Sequence, residues 1–238
     1  MSLDFFQLLD LKKGFSLPLW VAGAAKSALK KLVGLSFQNY ELIKIPNENR
    51  VIKIDVHSTG LINGASHALG ISFVNSGLEL DITQNLEIWT IASLKKISTK
   101  KVDQTNQINI IAGQGVGIHE KTSEICISNF AKDILYENLL NIIPEDSTLN
   151  LEIVFPHGKF LAERTSNQSF GIVEGLSIIG TSAETYSSAS EDQLKNAKLQ
   201  LKQEVNNDFK GKIVFVIGEN GFSLANSCNI KFPIIKVG

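Results

Sequence analysis

This sequence has few cysteines, no long apolar run and no large excess of either charge, and each of these features excludes some classes of protein. Cys126 and Cys228 are the only cysteines in 238 residues, too few for a disulfide framework, which predicts a reducing, cytoplasmic location. No apolar run approaches the length of a membrane-spanning helix, and no signal-peptide pattern is present. The formal net charge is −1, which argues against broad attraction to nucleic acid or anionic membranes.

Motifs that would identify a catalytic residue or a metal site are also missing. The four histidines share no metal-like spacing, and no phosphate-binding loop with its lysine occurs. We therefore expect no metal held by the protein and assign no catalytic residue. If the chain acts on a ligand, its polar side chains and bare backbone form a binding surface.

Apolar periodicity predicts an α+β domain in the first part of the chain. Helical spacing indicates helices over residues 20–33 and 123–141, and alternation indicates strands at 51–56 and 149–155. After the turn "PHGK", residues 160–165 are predicted to return as the hairpin partner of the preceding strand. A mixed or antiparallel sheet is the expected architecture.

The pattern changes near residue 178. Residues 194–205 carry a helical apolar stripe, and "IVFVI" at 213–217 is continuously apolar, which predicts a parallel-sheet strand covered on both faces. We expect domains at 1–178 and 179–238, the second being an incomplete open-sheet α/β unit. Because this sheet has few strands, the sequence favours a piece of a longer protein over a small complete sheet.

Two glycine-rich segments are candidate ligand contacts. "GQGVG" at 113–117 is either a turn after a strand or a backbone approach to a phosphate. "GENG" lies between a strand and a helix, where open α/β sheets bind ligands, so Gly218, Glu219 and Gly221 are cofactor-binding candidates.

Residues 162–182, "AERTSNQSFGIVEGLSIIGTS", place polar side chains among strand-like apolar residues. Arginine suits a carboxylate, and Asn, Thr and Ser supply hydrogen bonds. The alternative is a bulged hairpin whose polar side chains cap their own backbone, or an ion pair between Arg164 and Glu174.

The same stretch resembles the pattern of the CbiD family, approximately G-x-x-x-A-x-x-T-x-N-x-x-x-G-I-x-G-G-I-S-I-L-G-T-T. "AGQGVG" is similar to the family's glycine motif, and "SGLELDITQN" to its D-x-G-D-D-P-D-V-T segment. The alanine-rich "VAGAAKSALKKL" is similar to its first helix, and "KIVFVIGENGFSLA" to the start of its second domain. The positions that match in the 162–182 stretch are Ala162, Thr165, Asn167, Gly171, Ile172, Gly175, Ser177, Gly180 and Thr181.

This sequence departs from the family pattern at several places. Glu79 and Leu80 replace Asp-Pro, "LPLW" replaces Thr-Thr-Gly before the first helix, and Glu174 replaces a glycine. "SAETYSSAS" replaces the apolar segment that follows Gly-Thr.

The resemblance implies S-adenosylmethionine-dependent methylation of carbon 1 of cobalt-precorrin-5B, with the cobalt belonging to the substrate. It implies a cobalt-corrin precursor as partner and leaves a homo-oligomer open. A non-catalytic tetrapyrrole-binding or partner-docking homologue is the alternative, and a glycine-rich nucleotide enzyme is a weaker one. The predicted substrate-binding residues are Asp81, Thr83, Gly115, Arg164, Thr165, Asn167, Ser177 and Thr181.

Overall fold

The structure is a computed structural model that describes residues 14–77, 81–97, 107–185, 191–206, 211–228 and 230–237. The chain divides into two compact units, of which the larger is Lys13–Thr185 and the other includes Tyr186–Gly238. The division falls shortly after the predicted boundary at residues 178–179. That the two units are separate domains stays a prediction.

A five-stranded sheet is the centre of the larger unit. The strands of this unit are β1 (Gly14–Phe15), β2 (Tyr40–Lys44), β3 (Val51–Asp55), β4 (Ser58–Ile62), β5 (His67–Phe73), β6 (Glu87–Lys96), β7 (Ile108–Ala112), β8 (Gly115–Val116), β9 (Ile118–His119), β10 (Ser147–Val154), β11 (Ile172–Val173), β12 (Gly175–Leu176) and β13 (Glu184–Thr185). The order in the central sheet is β4-β5-β6-β10-β7, with antiparallel neighbours except for the parallel pair of β10 and β7. A separate hairpin joins β2 and β3, and the remaining described strands of this unit are two-residue pairs.

Helix α1 (Leu17–Leu32) packs against β5 and β6 and is buried along most of its length. "LPLW" therefore lies inside this helix rather than before it. The lysines on its polar side are covered by β2: the Lys26 ammonium donates to the Leu42 carbonyl at 2.6 Å, and Lys30 pairs with Glu41 at 2.7 Å. The predicted helix at 20–33 is confirmed, and Lys26 and Lys30 face β2.

Two predictions in this unit are wrong. Helix α2 is Asn129–Leu139, shorter than 123–141, because the preceding segment is extended: the Cys126 N–H donates to the Gly117 carbonyl. Ser128 begins the helix by accepting from the Ala131 N–H at 3.2 Å. Residues 160–165 form no hairpin partner, since β6 and β7 already occupy both sides of β10. Instead the chain folds into α3 (Gly158–Ala162).

The second unit contains α4 (Glu191–Asn206), β14 (Val214–Ile217), α5 (Gly218–Ser227) and β15 (Ile234–Val237), with β14 and β15 parallel. The strand–helix–strand order confirms the predicted α/β unit. Burial of β14 on both faces is not observed: Phe215 is 56% and Ile217 85% exposed. Among the described residues β14 pairs with β15, and the face that carries Phe215 and Ile217 is exposed. None of the described helices is both long and apolar enough to cross a membrane.

Candidate functional site

A cavity of about 790 Å³ opens in the larger unit, where the start of α1 meets three loop segments. Its volume lies in the range of about 300–1,000 Å³ that is usual for small-molecule sites. Apolar side chains form much of the wall, and polar groups converge from the loops. Six of the predicted substrate-binding residues line it: Asp81, Thr83, Thr165, Asn167, Ser177 and Thr181.

The first polar wall is a tight turn after β5. The Oδ1 atom of Asp81 accepts from the Thr83 N–H and from the Thr83 hydroxyl, each at 2.7 Å. The Gln84 N–H donates back to the Asp81 carbonyl at 3.0 Å. An aspartate that bonds to the backbone two residues ahead fixes such a turn locally, so this carboxylate has a set position at the cavity wall.

The second polar wall is a chain of hydrogen bonds centred on Asn167. The Thr165 hydroxyl donates to the Ala162 carbonyl at 2.7 Å and accepts from the Asn167 N–H at 3.2 Å. The Asn167 amide donates to the Gly175 carbonyl at 3.2 Å, and its oxygen accepts from the Ser177 hydroxyl at 3.4 Å. These bonds hold the loop's own backbone, as the self-capping alternative expects, while the same side chains line the cavity.

A buried thiol lies behind this wall. Cys126 is 7% exposed. Burial raises the pKa of its thiol above the ordinary value, and a hydrogen bond with Ser177 acts in the opposite direction. The thiol is therefore neutral and packs as a small apolar group.

The segment around Thr181 is tied to two helices. The Ser16 hydroxyl donates to the Ser182 carbonyl at 2.8 Å, and the Ser128 hydroxyl donates to the Gly180 carbonyl at 3.0 Å. Both serines immediately precede helices, α1 and α2. The cavity wall at this end is thus held by the starts of α1 and α2.

Glu184 adds a second carboxylate to the lining. Its side chain is 13% exposed and forms a bidentate ion pair with Arg50, whose two terminal nitrogens lie 2.5 and 3.2 Å from the two carboxylate oxygens. Arg50 also pairs with Glu48 at 2.9 Å. Sequence analysis did not identify Glu184, because its place in the cavity comes from the pairing of β13 with β1, which are far apart in the chain. No local pattern signals that contact.

Two predicted site residues lie elsewhere. Arg164 is exposed just after α3 and is not among the lining residues. The ion pair to Glu174, which was the alternative for Arg164, does not form, since Glu174 pairs with Lys159 at 3.0 Å. The structure therefore does not bring Arg164 to the other candidates.

Gly115 lies behind the cavity and packs against backbone. Its φ is +77°, and an added Cβ would stand 2.0 Å from the Phe155 carbonyl oxygen. A Cβ on Gly175 would stand 1.9 Å from the Gly115 carbonyl oxygen. "GQGVG" is thus a turn after β7 whose glycines allow strands to approach closely.

The predicted cofactor residues belong to the second unit. Gly218 begins α5, so "GENG" is the first turn of a helix rather than a loop. A cofactor contact at Gly218, Glu219 and Gly221 stays a prediction.

The fold and cavity define an α+β protein with a cavity of the size that small-molecule sites usually have. The sequence profile named CbiD matches residues 7–187. The chain belongs to the CbiD family, which confirms the resemblance read from the sequence.

Relatives and one solved structure agree with this assignment. A protein of Prochlorococcus marinus strain MIT 9312, named cobalt-precorrin-5B C(1)-methyltransferase, is 75% identical over 96% of this chain and 62% of its own length. A protein of the same name from strain NATL1A is 41% identical over 94% of this chain and 61% of its own length. The chain thus spans about three-fifths of these relatives.

The crystal structure of the cobalamin biosynthesis protein cbiD from Archaeoglobus fulgidus has the same fold, with a TM-score of 0.55 and 19% identity. The match covers 96% of this chain and 71% of that one. The predicted α+β class is confirmed.

Proposed function

We propose that this protein acts in the methylation of carbon 1 of cobalt-precorrin-5B, with S-adenosylmethionine as the methyl donor. One observation carries the proposal beyond the names of the relatives. Residues from two segments that resemble family motifs, Asp81 to Thr83 and Thr165 to Thr181, line a single cavity of about 790 Å³. Segments distant in the chain thus meet at one cavity, which supports a ligand site built from the family-like residues.

The residues fit a reaction that depends on orientation. The donor would supply a methyl group activated by a positively charged sulfur, and the acceptor would be a ring carbon of the precursor. The chain's contribution is to hold both in line and to exclude water, which in favourable cases is worth about 7–11 kcal/mol of the barrier. A wall fixed by the bonds of Asn167 to Gly175 and Ser177 is suited to that task, and we assign no residue as acid or base.

We also propose a cytoplasmic location, two domains, and binding to neither nucleic acid nor membrane. The first follows from the scarcity of cysteine and the last from the balanced charge, since 23 basic residues offset 24 acidic ones. A homo-oligomer stays open. The cobalt ion enters as part of the substrate.

Transfer of a labelled methyl group tests the proposal. Incubation with cobalt-precorrin-5B and methyl-labelled S-adenosylmethionine should place the label on carbon 1. Mass spectrometry of the product measures the transfer. Asn167→Ala should lower the rate about ten-fold or more, because it removes two bonds that position the wall, each worth about 1 kcal/mol. Gln168→Ala, an exposed neighbour, is the matched control and should leave the rate unchanged.

Binding without transfer would support the non-catalytic homologue instead. In that case calorimetry would detect the tetrapyrrole, while no label would reach it under any donor concentration. Equal rates for Asn167→Ala and Gln168→Ala would show that the reaction does not take place in this cavity.

A further inference from the structure

The cavity lining carries negative charge and, among the described residues, no positive side chain. Asp81 and Glu184 are its two ionisable members, and the other lining residues are apolar, hydroxyl or amide. Arg164, which the sequence placed here, lies outside. The negative charge of the lining limits which ligands can lose their hydration and bind in the cavity.

The two carboxylates differ in how they are compensated. Glu184 is paired with Arg50 through both oxygens, so its charge is offset. Asp81 receives two neutral donors from Thr83, both at Oδ1. Its Oδ2 has no partner among the described residues, which leaves one carboxylate able to attract a cation.

The remaining walls suit the same kind of ligand. Phe15 and Phe170 line the cavity, and Phe170 is 63% exposed, so a ring face is accessible. Aromatic faces attract organic cations, with contributions of about 0.5–2 kcal/mol. In the described part of the lining, the start of α1 is the one feature that favours an anion. It offers few donors, because the Ser16 N–H donates to the Ala183 carbonyl and Pro18 has no N–H.

A tetrapyrrole precursor fits this lining poorly. It carries several peripheral carboxylates, and burying an anion without a partner costs more than hydrogen bonds to neutral groups return. The donor is a zwitterionic amino acid with an added sulfonium charge. Its one carboxylate needs a contact that favours an anion, and its one or two buried positive groups need contacts that favour a cation. Asp81 supplies the carboxylate for the positive sulfur, and the dipole at the start of α1 favours the single carboxylate of the ligand.

We propose that this cavity binds the positively charged sulfonium donor, with Asp81 facing its sulfonium group, and that the carboxylates of the tetrapyrrole remain outside it. The inference rests on the proposed function. It reassigns Asp81 from the substrate to the donor, and it places the donor here rather than at Gly218, Glu219 and Gly221.

Calorimetry with two ligands that differ in one charge tests this. S-adenosylmethionine carries a positive sulfur, whereas in S-adenosylhomocysteine the sulfur is neutral, and the rest of the molecule is shared. Asp81→Asn keeps the oxygen that Thr83 requires and removes the charge. We expect S-adenosylmethionine to bind about ten-fold more weakly to Asp81→Asn, and S-adenosylhomocysteine less than about three-fold more weakly.

Two further variants complete the measurement. Asp133→Asn removes an exposed carboxylate of α2 that does not line the cavity, and it should leave both affinities unchanged. Glu219→Ala tests the site predicted from the sequence and should also leave them unchanged.

Each other outcome contradicts a different claim. Equal losses for both ligands in Asp81→Asn, or no loss, would overturn the inference while the proposed function stands. A loss in Glu219→Ala without one in Asp81→Asn would place the donor at α5. Absence of binding by the unaltered chain, together with absence of methyl transfer, would overturn the proposed function as well.

Discussion

Replacing Gly115 by alanine should be strongly destabilising, and two separate costs set the size of the effect. The residue has φ +77°, a left-handed conformation that costs an L-residue about 1–2 kcal/mol. The added Cβ would also stand 2.0 Å from the Phe155 carbonyl oxygen and 3.1 Å from the Gly158 nitrogen. Both neighbours are backbone atoms, so relief requires strand movement, at about 1–3 kcal/mol. The expected total is about 2–5 kcal/mol.

Gly171→Ala is the matched control. Its φ of +68° is similar, yet nothing lies within 4 Å of the added Cβ. It should therefore show the conformational cost alone, about 1–2 kcal/mol. The difference between the two variants isolates the close backbone approach.

Urea unfolding followed by circular dichroism gives both values, by linear extrapolation with a shared slope. In a thermal scan, each kcal/mol corresponds to about 2–4 °C for a domain of this size. Equal losses for Gly115→Ala and Gly171→Ala would refute the packing argument. A large loss of ligand affinity in Gly115→Ala with unchanged stability would return "GQGVG" to a direct ligand role.

Three further changes have defined expectations. Lys30→Met should destabilise the protein by about 3–5 kcal/mol in urea unfolding, because Glu41 is 3% exposed and would lose its partner at 2.7 Å. Glu174→Gly should stabilise it by about 0.5–1 kcal/mol, since Glu174 has φ +69° and loses only an exposed ion pair. Iodoacetamide should alkylate exposed Cys228 in the folded protein and Cys126 only after unfolding, as peptide mass mapping would show. Because burial raises the pKa of the Cys126 thiol, its contribution to stability is full below the ordinary thiol pKa and falls as pH rises through the folded value.

These predictions have built-in controls and contrary outcomes. Lys96 pairs with Asp146 at 3.5 Å, with both side chains well exposed, so Lys96→Met should change stability by less than about 1 kcal/mol. Similar losses for Lys30→Met and Lys96→Met would contradict the burial argument. Destabilisation by Glu174→Gly would mean that its ion pair with Lys159 outweighs backbone strain. Alkylation of Cys126 in the native protein would show that its environment opens.

The fold was predictable wherever one element buries one regular face. Helix α1 and strand β10 fall within a few residues of their predicted bounds, because their apolar residues recur at the helical and strand periods. The prediction for 123–141 was wrong at its start. Ile127 fits a helical spacing, but the backbone on either side of it is extended: the Cys126 N–H donates to the Gly117 carbonyl, and the Ser128 N–H donates to the Ile178 carbonyl. Periodicity records which side chains are apolar and does not record which backbone partner is available.

The placement of Arg164 is a different kind of error, and it explains the charge of the cavity. In an extended strand, neighbouring side chains alternate between faces, so even the predicted hairpin would have set Arg164 opposite to Thr165 and Asn167. The chain instead leaves α3 at this point, Thr165 bonds back to Ala162, and Arg164 faces solvent. Family-like residues therefore reach the cavity without the cation next to them in sequence. Attraction of a carboxylate cannot be inferred from an arginine within a motif until the direction of its side chain is known.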